Sequence, residues 1–300
     1  MSKYTDFIGS ASQMDEIVFF NDDENVVTLD DGRVYLRGGI LETNLTTYPD
    51  ARNSFRYLGT SFSVASENAS FSGITFDGNY FWAIGTATDT VYKYNSAGVY
   101  QSVSFSVASQ DSDPRGITFD GNYLWVVGDS SDRVYKYNTA GVYQGISFYA
   151  RSPSSVRNPK DIAWDGNYFW VLAFDTSSGQ ALISKYNSAG VYQNEFYFTY
   201  QNTSADSITW DGTSLWVADV WYSGGLGPTA YKYNTSGVYQ AASFYLGDQG
   251  SRLTGIAWDG TSFWVLDGGY QATDAVYKYS PAIGIASDTS FGAHNYVRVK

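Results

Sequence analysis

The chain has 300 residues, is 43% hydrophobic and 18% aromatic, and carries a formal charge of −12. A chain this apolar is not a disordered polymer, and its acidic balance, with no basic stripe, argues against a grip on nucleic acid or on an anionic membrane surface. With no cysteine, disulfides and thiolate metal centres are excluded, while 30 glycines beside 27 tyrosines and 9 tryptophans favour strands joined by tight turns.

In chain order, the first residues (Met1-Ser2-Lys3-Tyr4-Thr5-Asp6) lack the apolar stretch of a secretory signal, so none is expected. No apolar run is long enough to cross a bilayer, so no membrane insertion is expected. The Asn-x-Ser/Thr triplets at Asn44, Asn68, Asn202 and Asn234 then read as chance in a Ser/Thr-rich chain. Residues 27–36, with Asp31-Gly32 at their centre, predict a β-hairpin inside an N-terminal attachment segment, residues 1–59.

From residue 60 a repeat dominates. Gly73-Ile74-Thr75-Phe76-Asp77-Gly78-Asn79-Tyr80-Phe81-Trp82 returns at residues 116–125, 161–170, 207–216 and 255–264, in steps of 43 to 48 residues. Periods in the forties with several short strands per unit point to propeller blades. In the second copy, strand A is residues 117–119, Asp120-Gly121 is a two-residue turn of type I′, and strand B is residues 123–127. Strand C is residues 133–137, Asn138-Thr139-Ala140-Gly141 turns the chain, and strand D is residues 142–148. Strand B is apolar on both faces, as a sheet packed between two others requires. Trp82, Trp125, Trp170, Trp216 and Trp264 are therefore expected to form the core between blades.

The last unit stops after strand C, at Tyr277-Lys278-Tyr279, where Ser280-Pro281 replaces the usual turn. Residues 61–66 match the strand D at residues 104–109 and have no unit of their own. The expected fold is all-β: a five-bladed β-propeller of four-stranded antiparallel blades over residues 60–279, closed by this N-terminal strand and followed by a C-terminal tail, residues 280–300. Because residues 27–36 resemble a degenerate A–B hairpin, six blades are the alternative.

Alternating strand direction puts the A–B and C–D turns on one face and the B–C and D–A loops on the other. The first set is uniform from unit to unit and the second varies, so binding is expected on the variable face. Trp221, Tyr222, Tyr270 and Phe174 are placed there, aromatic side chains outside the strand pattern that suit sugar or protein contact, together with Arg115 and Arg157. Both tails are expected to leave from the uniform face.

Signals for catalysis are few. The one histidine, His294, lies outside the repeats, so no Ser-His-Asp triad is expected. Asp89, Asp129, Asp132 and Asp274 read as Asx-turns rather than as a calcium site, and turn chemistry accounts for Asp77, Asp120, Asp165, Asp211 and Asp259. Lys93, Lys136, Lys185, Lys232 and Lys278 read as stems lying on aromatic surface with the ammonium in water. No metal, no cofactor and no enzymatic activity are expected.

The unit Gly-Ile, Thr or Ala, Phe or Trp, Asp-Gly, three residues, Trp, then Val-Tyr-Lys-Tyr, resembles NHL-type propeller repeats, which implies architecture alone. It differs from the WD repeat, where Trp-Asp closes strand C, since Trp164-Asp165-Gly166 makes the A–B turn here. The ends resemble segments of tail and fibre proteins of tailed bacteriophages: Arg33-Val34-Tyr35-Leu36-Arg37-Gly38-Gly39, then Glu42-Thr43 and Tyr48-Pro49-Asp50-Ala51, and finally Tyr296-Val297-Arg298-Val299-Lys300. That resemblance implies a virion protein of the tail or its fibres, made in the host cytoplasm, present in multiple copies and held by other tail proteins. The variable face would then meet a bacterial surface polysaccharide or receptor. A decoration or adaptor subunit without a receptor, and a free lectin-like propeller, are the alternatives.

Overall fold

The computed structural model describes residues 26–28, 34–36, 55–150, 157–198, 205–219, 228–247, 253–268 and 274–281. The chain divides into two compact units, Ala51–Ser280 and a second made of Met1–Asp50 with Pro281–Lys300. In the second, β1 (Val26–Thr28) pairs antiparallel with β2 (Val34–Leu36), with Val27 opposite Tyr35.

The larger unit begins with β3 (Phe55–Ser63) and continues through four complete blades. Blade 1 is β4 (Phe71–Phe76), β5 (Tyr80–Gly85), β6 (Thr90–Asn95) and β7 (Tyr100–Ser106). Blade 2 is β8 (Pro114–Phe119), β9 (Leu124–Gly128), β10 (Arg133–Tyr137) and β11 (Tyr143–Tyr149). Blade 3 is β12 (Arg157–Trp164), β13 (Tyr168–Asp175), β14 (Gln180–Asn187) and β15 (Tyr192–Tyr197), and blade 4 is β16 (Ala205–Trp210), β17 (Leu215–Asp219), β18 (Thr229–Tyr233) and β19 (Tyr239–Tyr245). Blade 5 is β20 (Leu253–Trp258), β21 (Phe263–Asp267) and β22 (Ala275–Pro281), with β3 as its fourth strand.

Each inner strand packs beside the next, and β20 returns to β4, so the ring closes on five blades. The hairpin β1–β2 is a separate two-stranded sheet, not a sixth blade. Closure reuses a bond found in every blade. The residue after the outer strand donates its amide to the start of strand C: Val107 to Asp89 O (2.8 Å), Ala150 to Asp132 O (2.8 Å), Phe198 to Ala181 O (3.1 Å) and Leu246 to Pro228 O (2.9 Å). Val64 does the same to Asp274 O at 3.0 Å, across the break in the chain. The propeller therefore begins earlier than residue 60, because Phe55 and Tyr57 already pack into the blade 4–blade 5 core.

The five cores are five blade interfaces. Trp82 of blade 1 packs with Ile117 and Leu124 of blade 2, and Trp125 with Ile162 and Phe169 of blade 3. Trp170 packs with Ile208 and Leu215, Trp216 with Ile256 and Phe263, and Trp264 with Phe81 of blade 1 and Val64, just after the closing strand. A buried indole N–H needs an acceptor, and the turn aspartate supplies it. Trp82 Nε1 donates to Asp77 Oδ2 at 2.7 Å, and Asp120, Asp165, Asp211 and Asp259 accept from their own tryptophans at 2.7 to 2.8 Å. These aspartates thus serve the core as well as the turn, since Asp77 Oδ1 also takes the amides of Asn79 and Tyr80.

The A–B turns are not of type I′. Only the glycine has positive φ (Gly78 +97°, Gly121 +98°, Gly166 +97°, Gly212 +93°, Gly260 +96°), whereas type I′ needs it at both central residues. The lysines also differ from expectation. The ammonium itself stands over a ring, 3.7 Å from the Tyr80 centroid for Lys93, 3.8 Å from Tyr123 for Lys136 and 3.7 Å from Tyr168 for Lys185. In blades 4 and 5 serine replaces that tyrosine, and Lys232 and Lys278 turn to Asp211 and Asp259 at 3.3 Å.

The C–D turns lock neighbouring blades. Gly141 has φ +80°, and a Cβ there would run into the Phe105 ring of blade 1; Gly98, Gly190 and Gly237 meet Phe62, Phe148 and Phe196 alike. Gly121 has φ +98° with open space around it. Gly141→Ala should therefore cost about 2–4 kcal/mol and Gly121→Ala about 1 kcal/mol, read by urea denaturation. Equal losses would show that the Phe105 contact contributes nothing.

Candidate functional site

The inner strands carry the most informative irregularity. In every blade the pairing with strand B skips one residue, a β-bulge: Ser72, Arg115, Lys160, Asp206 and Thr254. A bulge frees a residue from the ladder and re-aims its side chain. In four blades the bulge is the second residue of the inner strand, at its loop-face end, and in the longer β12 it is the fourth, so the five equivalent positions form a set around the axis. Unlike the scaffold positions, they are five different residue types.

Four of the five side chains tie blade to blade. Ser72 Oγ donates to Pro114 O at 3.1 Å, Thr254 Oγ1 donates to Phe71 O at 2.9 Å, and Lys160 Nζ lies 3.8 Å from Asp206. Arg115 is held by Asp113 at 2.7 Å and Asp129 at 3.4 Å, while its Nε is buried with no hydrogen-bond partner among the described residues. Burial pushes the Asp129 carboxyl up, and Arg115 and Lys160 pull it back. Beside it, Asp111 accepts from the Asp113 and Ser131 amides (2.8 and 2.9 Å) and from the Ser131 hydroxyl. Asn68 occupies the corresponding place in blade 1, bonded to Thr88 at 2.6 Å. These loops are built by their own short-range hydrogen bonds and leave a half-exposed guanidinium at the surface.

Of the residues singled out in the sequence, Arg115, Phe174 and Arg157 are strand residues, not loop residues. Arg115 is the bulge of β8; Phe174 is half-buried in β13, between Asn158 and Ala181 in register; Arg157 opens β12 opposite Asp175. For Phe174 and Arg157 the reason lies in blade 3, whose strands β12, β13 and β14 each run to 8 residues and carry the sheet beyond the usual blade end. Trp221, Tyr222 and Tyr270 lie outside the described residues, as does His294. Trp82 and Trp170 are fully buried, and Trp125, Trp216 and Trp264 are 2 to 3% exposed. Among the described residues no group of three or more His, Cys, Asp or Glu is placed to hold a metal ion.

Sequence reasoning passed over a second set. Phe76, Phe119, Trp164, Trp210 and Trp258 pack into the blade interfaces beside the buried Ile74, Ile117, Ile162, Ile208 and Ile256, and the inner strands that carry them line an axial cavity. The signal was present, because Phe or Trp precedes the turn aspartate in every repeat. The cavity they line measures about 90 Å³. That is room for several waters and below the roughly 300 Å³ where small-molecule pockets begin.

No protein-family model matches the chain, and no curated protein matches it. Among solved structures, the glutaminyl cyclase of Myxococcus xanthus is similar with a TM-score of 0.56 and 8% identity, over 76% of this chain and 97% of that one. A streptogramin B lyase has a TM-score of 0.42 at 12% identity, over 78% of this chain and 100% of that one. The PQQ-bound aldose sugar dehydrogenase of Streptomyces coelicolor has a TM-score of 0.47 at 12% identity, over 77% and 98%. Identities this low carry architecture and no activity. What the cyclase likeness and the blade geometry establish together is the fold: the chain is a five-bladed β-propeller.

Proposed function

We propose that this propeller is a binding module rather than a catalyst, a virion protein of the tail or tail fibre of a tailed bacteriophage that meets the host surface with its variable loop face. The observation that carries the binding reading is the inequality of the two faces. The A–B turns share one geometry in five blades, and the C–D turns share one in four. Around the axis on the other face stand Ser, Arg, Lys, Asp and Thr at one structural position. Scaffold positions repeat because each blade needs the same contacts, whereas divergence concentrated on one face suits recognition of one unsymmetrical partner. The phage assignment rests on the resemblance of residues 33–51 and 296–300 to tail-protein segments.

A second reading, a structural subunit without a receptor, is favoured by the turn face. Val99, Val142, Val191 and Val238 are 56 to 58% exposed there at equivalent places, an apolar rim suited to protein contact.

The test is binding of the labelled protein to a panel of bacterial strains, beside a Trp221→Ala, Tyr222→Ala double variant. Capture by a narrow set of strains, weakened at least about tenfold in the variant, is expected, since paired aromatic anchors dominate such contacts. Binding to no strain favours the structural subunit.

A further inference from the structure

Asp161 follows the bulge residue of β12 and takes the place that Gly73, Gly116 and Gly255 hold in blades 1, 2 and 5. Where glycine stands, neighbouring inner strands close directly on one another: a Cβ on Gly73 would lie 2.7 Å from Arg115 O. At the blade 3–blade 4 seam the contact runs through the carboxyl instead. Asp161 Oδ2 accepts from Ser207 Oγ at 2.7 Å and from the Ile208 amide at 2.9 Å, both on β16. Its Oδ1 accepts from the Ile162 amide at 2.8 Å. On the other side the carboxyl lies against Gly116 of β8, where a Cβ would run into it. The residue is 1% exposed.

Among the described residues no cation answers this carboxyl. Lys160, next to it in the chain, pairs with Asp206 of β16, and Arg115 of β8 is held by Asp113 and Asp129. From β13, Leu172 stands opposite in register. Asp206 adds a like charge.

We propose that the blade 3–blade 4 seam is a pH-operated joint of the ring, closed while Asp161 holds a proton and loosened when it ionises. Ser207 makes both states feasible. Its hydroxyl donates to the carboxylate and, by rotating, accepts the proton of the neutral acid. The neutral acid is therefore satisfied within the seam, whereas the anion is a buried charge with three donors and, among the described residues, no counter-ion.

The direction follows from burial, which raises the carboxyl from 3.8 to about 8 against the pull of its three donors. Between those values the folded state holds a proton that the unfolded chain has released, so stability falls as pH rises through that window and levels off above about 8. Asp274, raised to about 6 by burial and by Asp267, has the same sign, so the location of the loosening must be read as well as its size.

Hydrogen exchange at pH 6 and pH 9, corrected for intrinsic rates, locates it. Residues 205–210 should exchange at least about tenfold faster at the higher pH, while residues 117–119 of the blade 1–blade 2 seam change little; a response at residues 71–76 belongs to Asp274, which bonds the Phe71 amide. In Asp161→Asn the selective response should vanish. Equal loosening of all seams, or an unchanged response in Asp161→Asn, overturns the proposal. If that variant does not fold, the seam-to-seam comparison in the unaltered protein still decides. Carboxyl NMR of the unaltered protein adds a direct reading, and a buried aspartate titrating near 4 instead of near 8 would also overturn it.

Discussion

Replacing Trp82 by alanine is expected to destabilise the propeller by about 4 kcal/mol and to lower its melting temperature by roughly 8–16 °C. The side chain is fully buried between blades 1 and 2, among Val107, Ile117, Leu124 and Tyr137. Its truncation opens a cavity in a seam held on both sides by closed sheets, which have little freedom to collapse inward. Two polar contacts go with it, the bond from Nε1 to Asp77 at 2.7 Å and the Lys93 ammonium 5.0 Å from the ring. Trp82→Phe separates the terms. It keeps most of the apolar contact and loses the indole donor, so it should cost roughly 2 kcal/mol. Urea denaturation gives both values. A Trp82→Ala protein that melts within about 2 °C of the parent would mean that the seam does not depend on this residue.

The second large effect is expected at the closure. Removing residues 1–50 should leave the propeller cooperatively folded, because the unit Ala51–Ser280 is compact by itself. Extending the deletion to residue 66 should abolish soluble folding. It removes all of β3 and, with it, the fourth strand of blade 5. Phe55, which touches Phe263 at 4.7 Å and Phe244 at 5.2 Å, is lost from one interface, and Phe62 and Val64 from the next. The stripped β22 becomes a long unpaired edge, a template for aggregation. In the intact blades that outer edge is blunted by a bulge, as at Ser102 (φ +56°) and Ala241 (φ +52°). Far-UV circular dichroism and size-exclusion chromatography of the two truncations decide the matter, and a peptide of residues 51–66 added during refolding should restore the longer one. A monomeric, cooperatively melting protein without residues 1–66 would show that the ring does not need its closing strand.

Much of this architecture was legible in the chain. A repeat with Asp-Gly and Trp at constant spacing specifies a strand pair buried on both faces, and such a pair is stable only between copies of itself. The missing outer strand in the last unit and the spare one before the first, ending in Ser61-Phe62-Ser63-Val64, together specify a closed ring. Local chemistry was enough for these features, because turn residues and apolar alternation act within a few residues of where they stand.

Contacts between blades were decided only in three dimensions. The strand start at Phe55 was hidden because its partners, Phe244 and Phe263, are far away in sequence. The bulges at Ser72, Arg115, Lys160, Asp206 and Thr254 leave no mark in composition, since a bulge is a property of the pairing and not of the residue. Asp161 stands in the sequence where other repeats have Gly73, Gly116 and Gly255, yet it lies between Gly116 and Ser207, and its burial comes from contacts with two other blades. Sequence determines what each blade is; ring closure determines which side chains lose water, and with them where charge is costly.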